Sequence, residues 1–244
     1  MPTVTFAPHQ VEWTGDKIRR YWDYFAANPA YAGWYFSQQA GDAVIDLVGR
    51  TLTLRGGRVL DFGCGPGFLT EKLVARGIWT QATDTSPGSI ASLCRRLDGH
   101  PAFGGAVVAN GLPTPLGEAA YDVVFFLETI EHLLPPEVDP ILDEVHRLVR
   151  PGGHVVITTN NDEDLATDTV LCPDCGAVFH RVQHLSSWTP ASLSERMRDH
   201  GFAPVLVKTT TFRPASRLSP MLDIASRLLG AKKVNLVYIG RKGP

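Results

Sequence analysis

The chain has 244 residues, a length that can bury a substantial core as a single α/β unit. It carries 23 lysines and arginines against 25 aspartates and glutamates, a formal net charge of −2 that disfavours nucleic acid as a partner. No apolar run approaches the roughly 20 residues that a membrane span requires, and the N-terminal segment does not resemble a secretory signal. Because its four cysteines show no disulfide framework, we expect a cytoplasmic protein.

Helices are predicted for residues 11–50. Thr14 is a suitable N-cap for a first helix with an apolar stripe, and the Asn28-Pro29 pair ends that helix before a second one begins. The aromatic residues of this segment indicate either packing against a sheet or a lid over a ligand. A lid would bring one of three tyrosines close to the ligand: Tyr21, Tyr24 or Tyr35.

From Arg58 onward, short apolar strands alternate with amphipathic helices. This pattern is typical of a parallel sheet that is covered by helices on both faces. The predicted strands are 58–62, 79–83, 103–108, 121–127 and 153–159. The predicted helices are 67–76, 86–98, 137–149 and 190–200.

The end of the chain has a different pattern. Segments 204–212 and 234–242 are predicted strands, joined by a segment with an amphipathic helix at 219–230. We therefore expect a single α/β domain with a doubly wound, mainly parallel seven-stranded sheet and an antiparallel C-terminal strand pair. Its expected parts are a helical cap (1–50), a ligand-binding core (51–165), a CxxC/histidine insertion (166–190) and a C-terminal helix and strand pair (191–244).

A glycine-rich turn follows the first predicted core strand, in the segment Val59-Leu60-Asp61-Phe62-Gly63-Cys64-Gly65-Pro66-Gly67. Glycines permit a tight turn and let a ligand lie against the backbone, where a Cβ atom would collide with it. A dinucleotide fingerprint would require glycine at position 68, where Phe68 stands. The spacing therefore disfavours a nicotinamide oxidoreductase and favours a smaller nucleoside ligand.

An acidic residue, Asp84, closes the next predicted strand. In a fold of this kind its carboxylate can accept two hydrogen bonds from the cis-diol of a ribose. Together, the glycine turn, Asp84, the loop 110–113 and the strand that begins at Tyr121 resemble the successive motifs of class I S-adenosylmethionine-dependent methyltransferases. The resemblance covers roughly residues 55–165.

This resemblance implies a role for each segment. The turn 63–67 would face the methionine part of S-adenosylmethionine, with Asp61 supporting the turn and the amino group, while Asp84 would hold the ribose. Residues 110–112 would meet the adenine; many family members have an acid where Asn110 stands, and an amide can also hydrogen-bond adenine. The implied cofactor-binding residues are Asp61, Gly63, Cys64, Gly65, Gly67, Asp84, Thr85, Asn110, Gly111 and Leu112.

A carboxylate–histidine cluster, Glu128-Thr129-Ile130-Glu131-His132, follows the fourth predicted core strand. Substrates of open α/β sheets bind beyond the carboxyl ends of the strands, so this segment borders the expected site. Two neighbouring carboxylates repel each other and favour a cation between them. Alternatively, Glu131 and His132 only fix the loop, or His132 acts as a base without a metal.

Further along the chain, His184 stands four residues before a Trp-Thr pair. The ExxEH motif with this histidine is similar to the small-RNA 3′-terminal 2′-O-methyltransferases, in which two glutamates and two histidines hold a divalent cation that binds a vicinal diol. The ubiquinone-pathway O-methyltransferases share the ExxEH part and have catechol-like substrates. The resemblance implies Mg²⁺ or Mn²⁺ and the ligands Glu128, Glu131, His132 and His184, with Glu131 and His132 as catalytic residues.

The CxxC motif has a competing interpretation. Cys172 and Cys175, with His180, resemble a zinc knuckle, because thiolates and imidazoles form good tetrahedral zinc sites. A turn with free thiols is the alternative. Since His184 cannot serve both sites, we assign it to the active site and keep the other three residues as candidate ligands of a structural zinc ion.

Methyl transfer to a hydroxyl requires alignment of the reacting atoms and removal of the hydroxyl proton. A metal that lowers the hydroxyl pKa, with His132 as proton acceptor, answers that requirement. The sequence therefore predicts an O-methyltransferase whose acceptor is a diol-like hydroxyl of a sugar, glycan or small metabolite. The alternatives are an RNA ribose 2′-O-methyltransferase, a metal-free enzyme with His132 as base, and an inert binding module, against which the intact glycine turn and Asp84 argue.

Overall fold

The computed structural model describes residues 6–212 and 234–244. Its strands are, in chain order, β1 (His9–Gln10), β2 (Val59–Phe62), β3 (Thr80–Asp84), β4 (Phe103–Val108), β5 (Tyr121–Leu127), β6 (Val149–Asn160), β7 (Thr169–Leu171), β8 (Ala177–His180), β9 (Phe202–Thr210) and β10 (Asn235–Lys242). The helices are α1 (Gly15–Ala27), α2 (Phe36–Gly49), α3 (Phe68–Ala75), α4 (Pro87–Leu97), α5 (Val138–Leu148) and α6 (Pro190–Asp199).

Seven of these strands form the main sheet, in the order β4-β3-β2-β5-β6-β10-β9. The pairs formed among strands β2 to β6 are all parallel, and β10 lies antiparallel between β6 and β9. The predicted fold class is therefore confirmed, including the antiparallel C-terminal pair. Strand β6 begins earlier than predicted, at Val149, and the helix predicted for 219–230 lies outside the described residues.

Alternate residues of the central strands supply two apolar layers, as a sheet covered on both faces requires. In β5, Phe126 packs with Leu142 of α5 and belongs to the layer that α6 also covers. The preceding residue, Phe125, belongs to the opposite layer with residues of α2 and α3, among them Val44 and Leu73. Both faces of the sheet are thus buried, which leaves its carboxyl edge as the place for a site.

The local sequence explains where the N-terminal helices begin and end. The Thr14 side chain accepts a hydrogen bond from the Lys17 backbone N–H at 3.3 Å, and α1 ends at Ala27, directly before Asn28-Pro29. A short 3-10 helix, Pro29–Trp34, connects α1 to α2. The predicted cap and the predicted break of the first helix are both confirmed.

A second, three-stranded sheet was not predicted. It has the order β1-β8-β7, with β1 parallel and β7 antiparallel to β8. The N-terminal strand therefore pairs with the CxxC insertion, and α1 follows this strand over the carboxyl edge of the main sheet. Within the described ranges, no helix is long and apolar enough to cross a membrane.

Candidate active site

A cavity of about 950 Å³ opens at the carboxyl ends of β2, β3 and β5. The loops that follow these three strands line one side of it, and α1 with the 3-10 helix lines the other. Ligands of open α/β folds bind at this edge of the sheet. The volume lies within the range of about 300–1,000 Å³ that is common for small-molecule sites.

The glycines of the turn after β2 have different tasks. Gly63 and Gly65 line the cavity in left-handed conformations, with φ of 74° and 50°, and Cys64 lies between them. Gly67 has a φ of 86°, and a Cβ atom at this position would lie 2.4 Å from Leu93 of α4. Gly67 therefore permits close packing of the turn against α4 and lies behind the cavity wall, where we had predicted a cofactor contact.

Asp61 supports this turn from within the fold. Its side chain is 3% exposed, and Oδ2 accepts a hydrogen bond from the Thr70 hydroxyl of α3 at 2.6 Å. Burial raises the pKa of Asp61 to about 7. Because β2 precedes the turn and α3 follows it, this hydrogen bond links the two elements on either side of the turn. The Asp61 carboxylate does not line the cavity.

Asp84 connects the end of β3 to the same turn. Its Oδ2 accepts a hydrogen bond from the Gly65 backbone N–H at 2.7 Å, and Oδ1 accepts one from Ser86 N–H at 2.9 Å. Burial raises the pKa of Asp84, and these backbone donors oppose that rise. Each oxygen keeps a second lone pair that a ribose hydroxyl can use. The other residues predicted to bind the cofactor also line the cavity: Thr85, Asn110, Gly111 and Leu112.

Aromatic side chains of the N-terminal helices cover the cavity. Tyr21, Trp22 and Tyr35 line it, whereas Tyr24 is 59% exposed and lies outside it. The Tyr35 ring lies against the glycine turn, since a Cβ atom on Gly65 would be in contact with it at 3.7 Å. This arrangement favours a lid over the interpretation that these aromatic residues only pack against the sheet.

Trp22 connects the lid to the carboxylate–histidine cluster. Its ring lies edge-on to the His132 imidazole, with 4.8 Å between centroids, and its Nε1 donates a hydrogen bond to Gln183 Oε1 at 2.8 Å. Gln183 is fully buried, and its Nε2 donates to the backbone carbonyl of His132 at 3.0 Å. The Gln183 side-chain amide therefore bonds both to the lid and to the His132 loop. No pattern in the sequence predicted this role.

Glu131, His132 and His184 converge in the structure. One candidate ligand atom from each lies within 4.8 Å of the other two. Glu131 is 1% exposed, and neither of its carboxylate oxygens has a hydrogen-bond partner among the described residues. Burial, together with the charge of Glu128, raises the pKa of Glu131 well above its ordinary value. Since a divalent cation would satisfy these oxygens, the residues fit a metal site.

Both histidines are oriented for such a role. His184 Nδ1 lies 2.6 Å from Glu163 Oε2, and His132 Nδ1 lies 3.3 Å from the backbone carbonyl of Gln183. Because both partners are acceptors, Nδ1 is the donor in each ring, which leaves Nε2 as the nitrogen available to a metal. Burial, with His184 as a neighbour, lowers the pKa of His132 to about 3, so its ring is neutral at neutral pH.

Glu128 lies beside this cluster and lines the cavity. It has a φ of 44°, a conformation that is strained for a residue with a side chain, and its Oε1 is buried without a hydrogen-bond partner in the described part of the chain. Burial raises the pKa of Glu128 to about 7. The buried hydroxyls of Thr158 and Thr159 lie close to the two glutamates without meeting hydrogen-bond geometry.

The loop after β6 contributes Glu163, which the sequence analysis missed. Together with His180 and His184 it forms a second convergent group, with candidate ligand atoms within 4.8 Å of one another. The available signal was its position, because β6 is parallel to β5 and both strands end at the same edge of the sheet. An acidic residue shortly after β6 could therefore have been placed beside the cluster.

The CxxC motif forms the turn between β7 and β8. Backbone N–H groups of Cys175 and Asp174 lie against the Cys172 sulfur and lower the pKa of its thiol. The predicted zinc ligand His180 is not with them; its ring stacks on His184, with 4.7 Å between centroids. In the ranges that the structure describes, no convergent group of three candidate metal ligands includes either cysteine. The structure therefore does not bring these three residues together, because His180 at the end of β8 lies against His184 instead.

Comparison with known proteins is consistent with this geometry. The profile of a family described as "Methyltransferase domain" matches residues 34–207. The ubiquinone biosynthesis O-methyltransferase of Pseudomonas syringae pv. tomato is 32% identical over 119 residues, which are 48% of this chain and 50% of that protein. The chain thus spans about half the length of the curated relatives that it matches.

Solved structures share the fold across almost the whole chain. The 1,6-didemethyltoxoflavin-N1-methyltransferase of Burkholderia thailandensis, with bound S-adenosylhomocysteine, has a TM-score of 0.63 at 20% identity and covers 100% of this chain and 97% of its own. Phosphoethanolamine N-methyltransferase 2 of Haemonchus contortus, in complex with S-adenosylmethionine, has a TM-score of 0.66 at 16% identity over 93% of this chain and 60% of its own. With the profile match over residues 34–207, the chain belongs to the methyltransferase-domain family, and it shares the fold of these S-adenosylmethionine- and S-adenosylhomocysteine-bound methyltransferases.

Proposed function

We propose that the protein is an O-methyltransferase that acts on a diol-like hydroxyl of a sugar or small metabolite, with a divalent cation held by Glu131, His132 and His184. One observation carries the proposal. The buried carboxylate of Glu131 has no hydrogen-bond partner among the described residues and lies beside two correctly oriented imidazoles. His132 and His184 line the same cavity as Asp84 and the glycine turn.

The glycine turn and Asp84 would hold the methyl donor. The free lone pairs of Asp84 accept the ribose hydroxyls, and the backbone of Gly63 and Gly65 leaves room for the methionine part. Tyr35 lies against Gly65 on this side of the cavity, where it would restrict the access of water. In the reaction the acceptor oxygen bonds to the methyl carbon, the sulfur keeps the electron pair of the broken bond, and the hydroxyl proton leaves to a base.

The carboxylate–histidine cluster would bind the methyl acceptor through the cation and accept its hydroxyl proton. A bound Mg²⁺ or Mn²⁺ lowers the pKa of a hydroxyl and favours a diol with two oxygens. An imidazole has one free lone pair, so His132 cannot bind the cation and accept a proton at the same time. We therefore assign proton acceptance to Glu128, which lines the cavity beside Glu131. In a metal-free reaction His132 would be the base.

The cavity walls favour a small acceptor with a ring. Aromatic side chains, among them Trp22, Phe25 and Tyr35, form the side opposite the sheet. Arg19 is the one lysine or arginine among the described residues that line the cavity, and its guanidinium donates to Asp16 at 2.6 Å. An RNA backbone needs several such cations, which disfavours RNA as the acceptor. The likeness to a ubiquinone biosynthesis O-methyltransferase points in the same direction.

A methyl-transfer assay with labelled S-adenosylmethionine tests this proposal. The acceptors are a catechol, a free sugar, a ribonucleoside and an RNA oligonucleotide with a 3′-terminal diol, each with Mg²⁺ and after chelation. We expect transfer to a small diol that requires the cation and is lost in Glu131→Gln. Transfer to RNA alone would overturn the small-molecule acceptor, and full activity after chelation would leave the metal-free reaction with His132 as base.

A further inference from the structure

Glu163 anchors the insertion histidine to the main sheet. Its Oε2 lies 2.6 Å from His184 Nδ1, while its Oε1 accepts a hydrogen bond from the Asn160 side chain at 2.9 Å. Asn160 is the last residue of β6, so the carboxylate is fixed to the sheet edge and holds an imidazole that the insertion supplies. The side-chain geometry of His184 is thereby set from outside the insertion.

His180 holds the same imidazole from another side. The two rings are stacked, with 4.7 Å between centroids and 17° between planes. The His184 backbone N–H donates to His180 Nδ1 at 3.2 Å, and His180 Nε2 lies 3.7 Å from Glu163 Oε1. With Nδ1 bonded and one face covered, the atom of His184 that remains for Glu131 and His132 is Nε2.

We propose that Glu163 is a positioning residue for His184. Its carboxylate accepts the Nδ1–H bond, fixes the tautomer whose Nε2 has a free lone pair, and directs that nitrogen toward Glu131 and His132. A carboxylate behind a metal-binding imidazole also makes the imidazole a better donor to the metal. This inference rests on the proposed function, because it requires a cation that His184 binds.

Manganese affinity of the full chain tests the inference without an acceptor. Free Mn²⁺ is measured by electron paramagnetic resonance for the unchanged protein, Glu163→Ala, Glu163→Gln and the control Glu195→Gln, which removes an exposed carboxylate of α6. We expect Glu163→Ala to bind Mn²⁺ about 10- to 100-fold more weakly, the effect of losing an outer partner of a metal ligand. Glu163→Gln should lie between, since its amide oxygen still accepts the Nδ1–H bond without the charge, and Glu195→Gln should bind normally.

Two further measurements separate positioning from a general structural role. The metal-free melting temperature of Glu163→Gln and its affinity for S-adenosylhomocysteine should match those of the unchanged protein. Equal Mn²⁺ affinity in Glu163→Ala and the unchanged protein would overturn the inference and leave the metal site intact. Complete loss of binding in Glu163→Gln would make Glu163 a ligand itself and also overturn it. Absence of binding in the unchanged protein would overturn the metal site of the proposed function, and the inference with it.

Discussion

The backbone N–H of Gly65 donates to Oδ2 of Asp84 across 2.7 Å, so the glycine turn and the acid after β3 form one unit. Asp84→Ala removes the ribose contact and the support of the turn together. Affinity for S-adenosylhomocysteine should fall by about 1–3 kcal/mol, the range for hydrogen bonds to a charged group. Isothermal titration calorimetry measures this, with Asp98→Ala at an exposed position after α4 as the control. Unchanged affinity in Asp84→Ala would remove Asp84 from the site.

The substitution Gly67→Ala tests the interpretation that Gly67 packs against Leu93 behind the cavity wall. Gly67→Ala combines a φ of 86° with a Cβ atom 2.4 Å from Leu93, so the free energy of unfolding should fall by about 2–5 kcal/mol. Gly56→Ala is the matched control, because its φ is 79° and a Cβ atom there meets nothing within 4 Å. Gly56→Ala should lower the free energy of unfolding by about 1–2 kcal/mol, the cost of the left-handed backbone conformation alone. Equal losses in urea unfolding would show that packing against Leu93 contributes nothing.

The lid is tested with two aromatic residues of the same helix. Trp22→Ala loses the ring contact with His132 and the hydrogen bond to Gln183, together about 1–2 kcal/mol. We expect kcat/KM for the acceptor to fall about tenfold, with a smaller change in S-adenosylhomocysteine affinity. Tyr24→Ala, at a 59% exposed position, should retain normal kinetics. Equal effects of the two substitutions would mean that α1 only stabilises the fold.

The sequence predicted the main sheet well, because its signal is local. Residues 123–127 are a continuous apolar run, as a buried parallel strand requires. The glycines after Asp61 indicate a tight turn. The second sheet was missed because β1 has two residues and pairs with a strand far along the chain. A pattern of two residues has no measurable period.

The sequence predicted the cofactor-binding residues better than it predicted the neighbours of the carboxylate–histidine cluster. Glu131, His132 and His184 come together. The place of Gln183 depends on the path of the insertion, which no local pattern encodes, whereas Glu163 had a signal in its position shortly after β6. The sequence also did not predict that His180 lies against His184. In a strand, successive side chains point to opposite faces, and the register of β8 decides which residue faces His184.

Metal removal tests whether the reaction needs a cation, and substitution of His132 and of His180 tests which histidine is a ligand. We expect chelation to abolish turnover and Mg²⁺ or Mn²⁺ to restore it. His132→Ala should lose about 100-fold or more in kcat, because it removes a ligand of the proposed site, and His180→Ala should lose less. S-adenosylhomocysteine should bind both variants normally, since the cluster serves the acceptor. A larger loss in His180→Ala would contradict the assignment of the ligands.

The most direct test of the proposed metal-assisted function is anomalous diffraction from crystals that contain Mn²⁺ and S-adenosylhomocysteine. We predict one manganese peak between Glu131, His132 and His184, in the cavity that also holds the adenosyl group against Asp84. A second crystal of Glu131→Gln should have the ligand and no manganese peak. The absence of manganese from the unchanged protein at millimolar Mn²⁺, with S-adenosylhomocysteine bound, would contradict the proposed metal site.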